Sequence, residues 1–136
     1  MRAARSGVRW RCYFIAVVNT VNPQKWLDQV TEWAENYGSF PHGRKWGFDR
    51  HHVAGRKFKH DKVHIGERFV IPVQTELHQV NSDHPLNVTN FRHNFTEEFG
   101  SQRYMWADMV ESMRQNFPSF TLPTDEEIAC VMSTKY

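Results

Sequence analysis

The stretch that decides the fold is Asp49-Arg50-His51-His52-Val53-Ala54-Gly55-Arg56 together with its apolar return, Phe69-Val70-Ile71-Pro72-Val73-Gln74-Thr75-Glu76-Leu77-His78. The first half has a strand-like setting, and neighbouring side chains on a strand point to opposite faces. One imidazole of the His51–His52 pair is then available to a cation while the other faces a different partner. The return run Phe69–Val73 reads as the second strand of a hairpin, with Pro72 marking its end or an edge position. His78 falls where a short helix is expected to open.

Charge is concentrated around this segment. Arg44, Lys45, Arg50, Arg56, Lys57, Lys59, Lys62 and Arg68 stand against Asp49, Asp61 and Glu67, whereas from Glu97 onward acids outnumber bases. The overall charge of +2 is too small to imply a polyanionic partner. Its placement beside three histidines would steer one there. A cation beside a separately aimed base is what phosphodiester hydrolysis requires.

Outward from the hairpin, the chain reads as one helix-rich domain over residues 1–136. With 136 residues, 40% apolar and 24% charged, it is long enough to bury a core and ordinary in composition for a globular protein. Residues 9–19 read as a strand. Asn22-Pro23 supplies an N-cap and a first-turn proline, and Trp26, Leu27, Val30, Trp33, Ala34 and Tyr37 form one helical face that Gly38 ends. The Trp residues on this face read as core. Residues 38–48 form a Gly/Pro/aromatic loop leading into the histidines. Further helices are expected over about 88–99, about 104–117, and from the capping box Thr124-Asp125-Glu126-Glu127 to Met132. Cys12 and Cys130 make no zinc ribbon and suggest a reducing, cytoplasmic setting. No apolar run approaches the length of a membrane span.

The order of a His pair, a Gly-Arg, a basic loop, an Ile-Pro-Val strand and His78 six residues beyond the proline resembles the HNH (ββα-metal) nucleases, in particular phage and prophage recombination-associated members. The resemblance covers residues 49–84. It implies an α+β fold, with a ββα-metal hairpin-helix core embedded in the helix-rich domain. It also implies a metal-dependent DNA endonuclease, placed in the host cytoplasm if phage-encoded, with DNA as partner, no membrane and a homodimer left open. By the same resemblance, His51 and His78 bind the cation and His52 deprotonates the attacking water. Arg50, Arg56, Lys57, Lys59 and Lys62 would hold the nucleic acid, with Arg56 suited to a bidentate phosphate contact.

Two departures from the family pattern matter. The asparagine that orients the base in many relatives is here Phe69, so His64 or Glu67 would take that role. The positions of structural cysteines are Gln74 and Leu77. A further ligand could come from Asp49, Asn81 or Ser82, with His84 nearby. Oxygen ligands would suit Mg²⁺ or Mn²⁺, and mainly imidazole ligation Zn²⁺ or Ni²⁺. The alternatives to an enzyme are a catalytically impaired HNH-like nucleic-acid binder, and a structural protein in which metal clips the hairpin to the following segment.

Overall fold

A computed structural model describes residues 22–136. The strand expected over 9–19 lies outside them. The described chain is α+β: four α-helices and two small antiparallel sheets.

Helix α1 (Pro23–Tyr37) opens where Asn22 Oδ1 accepts from the Lys25 N–H at 3.0 Å, with proline in its first turn. It buries Trp26, Val30, Trp33 and Ala34, one stripe at helical spacing. Gly38 ends it at φ +104°, where a Cβ would lie 2.3 Å from the Gly43 carbonyl oxygen, so no other residue fits without moving the backbone.

Strands β1 (Phe48–His52) and β4 (Val70–Gln74) pair antiparallel, His51 opposite Ile71 and His52 opposite Val70. Pro72 sits inside the strand, not at its end. Its carbonyl accepts from Phe40 N–H, on the side away from β1, and Gln74 N–H donates to Phe40 on that side too. The Pro72 nitrogen therefore also points away from the β1 ladder, which loses no hydrogen bond to the missing N–H. All five β4 residues are buried, because α1 and α3 (Gln102–Asn116) both pack on the strand.

The expected long basic loop folds back on itself. β2 (Lys59–His60) and β3 (Val63–His64) form a ribbon turning through Asp61 and Lys62, both at positive φ. Val63 and Ile65 anchor it in the core. Gly66 closes its base against Gly55, whose carbonyl oxygen would lie 2.2 Å from a Cβ at position 66.

After β4 the chain makes only a three-residue 3-10 turn, Thr75–Leu77, and His78 closes that turn instead of opening a helix. The next helix, α2 (Arg92–Phe99), begins four residues later than the expected 88. Local side-chain bonding explains the delay. Asn87 Oδ1 accepts from the N–H groups of Thr89 and Asn90, and Ser82 Oγ donates to the Glu76 carbonyl, so the intervening backbone finds its partners in turns. Phe95 is wholly buried on α2, whereas Phe91, the residue that precedes the helix, is exposed.

Helix α3 buries Met105, Trp106, Met109, Val110 and Met113, and α4 (Asp125–Met132) opens on the capping box at Thr124 and Glu127. The indoles of Trp26 (α1) and Trp106 (α3) donate to one acceptor, the Arg68 carbonyl, at 2.8 and 3.0 Å. The Arg68 guanidinium meets Glu127 in a buried ion pair. Both helices and the capping box are thereby tied to Arg68, two residues before β4. Cys130 on α4 is disulfide-bonded, which departs from the reduced thiol expected. No helix among the described residues is long and apolar enough to cross a membrane.

Candidate functional site

Strand alternation places Asp49 and His51 on one face of β1 and Arg50 and His52 on the other. The first face meets the segment after β4. The His51 and His78 rings stand edge to face with centroids 5.0 Å apart. His78 Nδ1–H donates to Asp49 Oδ2 at 2.8 Å, and Thr75 Oγ1 donates to Asp49 Oδ1 at 3.1 Å. His51 Nε2–H donates to Gln102 Oε1 at 2.9 Å. Each ring is thus oriented by one nitrogen, which leaves the lone pair on His51 Nδ1 and on His78 Nε2.

His51 is buried, and burial above all, reinforced by the neighbouring His78, lowers its pKa to about 4. It is a neutral imidazole at physiological pH, the form that ligates metal.

The opposite face of β1 opens into a cleft of about 390 Å³. His52, Arg56 and Glu67 line it together with Asn22, Pro23, Gln24 and Leu27 from the start of α1. Partial burial lowers the His52 pKa, and Arg56, Arg50 and His78 add to that while Glu67 opposes them. His52 is therefore within electrostatic reach of His78 although its ring faces the other way. The amino-terminal end of α1 adds partial positive charge to the cleft.

Of the residues singled out in the sequence, Asp49, His51 and His78 come together on one face, and His52, Arg56 and Glu67 on the other. Asn81 is exposed, and the Ser82 hydroxyl is committed to the Glu76 carbonyl and the His84 N–H. His84 Nδ1 accepts from the Leu86 N–H. His64 lies exposed on β3 opposite Lys59, outside the His52 cleft. Lys57, Lys59 and Lys62 project into solvent along the ribbon, and Arg50 is exposed on β1. Two cations of the basic stretch are spent on structure: Arg68 on Glu127, and Arg44 on a bidentate pair with Glu76 at 2.7 and 2.8 Å. Phe69, in place of the orienting asparagine, is wholly buried and packs edge-on against Trp106.

Gln102, Thr75 and the α1 start were not read from the sequence as parts of the site. A lone glutamine at a helix start carries no signal of its own. Its partner lies 51 positions away and is reached only through packing.

His51 and His78 are two imidazoles side by side, each hydrogen-bonded through one ring nitrogen. Both rings are oriented by second partners, and His51 is held neutral. Among the described residues, no group of three or more His, Cys, Asp or Glu side chains is arranged to hold a metal ion. Asp49 serves His78 directly, as an orienting carboxylate. Comparison with protein-family models, with curated proteins and with solved structures finds no match to this chain.

Proposed function

We propose that this protein is a metal-dependent DNA endonuclease of the HNH kind. The observation that carries the reading is the two-sided arrangement of β1, with His51 beside His78 on one face and His52 in a cleft lined by Arg56 and Glu67 on the other. His51 and His78 would hold the cation, which when bound supplies Lewis-acid stabilisation of charge on the phosphate and leaving oxygen. His52 accepts a proton from the attacking water on its unprotonated ring nitrogen. The lowered pKa keeps His52 in the neutral, proton-accepting form at neutral pH. The Glu67 carboxylate in the same cleft stabilises the imidazolium that forms. Arg56 and the start of α1 offer positive charge to a phosphate.

One observation favours a second reading, a nucleic-acid binder with impaired turnover. Phe69 is locked in the core and cannot orient His52, so a base with nothing to fix its tautomer would be slow.

Nicking of supercoiled plasmid, with Mg²⁺, Mn²⁺, Ni²⁺ and Zn²⁺ supplied separately, tests the proposal. His52→Ala is expected to keep metal and DNA binding and to lose roughly 10²–10⁴-fold in rate. His51→Ala and His78→Ala are expected to lose metal affinity as well. DNA binding without nicking under any of the four metals would select the second reading, and undiminished nicking by His52→Ala would refute the mechanism.

A further inference from the structure

Among the described tryptophans, Trp26, Trp33 and Trp106 are buried, whereas Trp46 is 71% exposed. It sits on the loop that feeds β1, and that loop is held stiffly. Arg44 donates from Nε to the Trp46 carbonyl at 3.0 Å and from Nη2 to the Gly47 carbonyl at 2.6 Å. The same guanidinium grips Glu76, whose carboxyl these hydrogen bonds hold down at about 2. The loop is also tied to the site. The Thr75 N–H donates to the Gly47 carbonyl at 2.9 Å, and Thr75 Oγ1 donates to Asp49, which orients His78. A large apolar ring is therefore presented to solvent, on a braced backbone, one residue from a hydrogen-bond chain that ends at the paired histidines. Lys45, the preceding residue of the same loop, is also exposed.

We propose that Trp46 is a stacking platform for an unpaired base of the DNA strand, with Lys45 on the adjoining phosphate, so that the substrate carries a single-stranded segment next to the scissile bond. This rests on the nuclease reading for its choice of DNA. An indole stacks on any base, and a strand needs a cation beside the ring to hold its backbone; this loop has both. A base inside a duplex offers no open face to such a ring, so the platform discriminates by strandedness and not by sequence.

The test measures affinity for a short oligodeoxythymidylate and for a blunt duplex of equal length, with the cation chelated so that nothing is cut. Trp46→Ala is expected to weaken single-strand binding roughly 5- to 140-fold, which is about 1–3 kcal/mol for one stacked base at 1.4 kcal/mol per tenfold. Trp46→Phe should retain most of the affinity, and duplex binding should not change in either variant. Parental single-strand affinity in Trp46→Ala, or equal loss for both ligands, would overturn the platform. So would a dimer of the parent that sedimentation shows Trp46→Ala to abolish. A parent that nicks plasmid while its single-strand affinity ignores Trp46 loses the platform and keeps the nuclease. Ring-dependent single-strand affinity in a parent that nicks nothing keeps the platform and removes the nuclease.

Discussion

His51 should make this protein lose stability on mild acidification, with His52, whose pKa burial also lowers, adding in the same direction. Unfolded, an imidazole titrates near pH 6.5. Folded, His51 is buried against Gln102 and His78 and titrates at about 4. Between those values the unfolded chain binds a proton that the native site refuses, so native stability falls as pH falls from about 6.5 to about 4 and then levels for this group. A gap of this size at 1.36 kcal/mol per pKa unit costs about 3 kcal/mol, a large part of the 5–15 kcal/mol typical of a domain. Urea unfolding followed by far-ultraviolet circular dichroism at pH 7, 6, 5 and 4 measures it. At slopes of about 1–3 kcal/mol per molar urea, the midpoint should drop by roughly 1–3 M. His51→Leu isolates the cause. It strands the buried Gln102 amide and so costs about 1–3 kcal/mol at every pH, but it should remove most of the dependence across this window and leave only the part due to His52. Glu76 does not confound the comparison, because its depressed pKa contributes stability that is lost only as pH falls from about 4.5 to about 2. If His51→Leu keeps the parental pH dependence, His51 is not held neutral, and the argument for it as a ready metal ligand fails with it.

Other consequences follow from particular side chains. Arg68→Met leaves Glu127 charged and buried and should destabilise by about 3–5 kcal/mol, whereas adding Glu127→Gln, which keeps the cap to Thr124, should recover most of that in chemical denaturation. If cations along the ribbon neutralise phosphates and so supply the non-specific affinity, replacing Arg56, Lys57 and Lys59 by Ala should reduce the logarithmic salt dependence of DNA binding. The slope should fall by about one unit for each phosphate left without its cation, and an unchanged slope would move the binding face elsewhere. With the His52 pKa lowered, the acid limb of any nicking profile should lie below pH 6.5, and a rate still climbing with pH well above that value would assign the base elsewhere.

Local chemistry is what the sequence by itself determined. Asn22-Pro23 and Gly38 bound α1, Thr124 and Glu127 open α4, and the spacing of Trp26, Val30, Trp33 and Ala34 marks a buried stripe, because caps and periodicity are properties of neighbours along the chain. The opposite aims of His51 and His52 belong to the same class, since alternation follows from extended backbone alone. The tertiary structure decided everything that depends on residues distant in sequence. It brought Gln102 to His51, set the Asn22 end of α1 over His52, and spent Arg44 and Arg68 on carboxylates 32 and 59 positions away. What denied His78 a helix is local: Ser82, Asn87 and Asn90 bond to the backbone around them, a competition that helix propensity does not register. A charge in a sequence is only a charge. Whether it meets solvent, a carboxylate or a substrate is settled by what the fold packs against it.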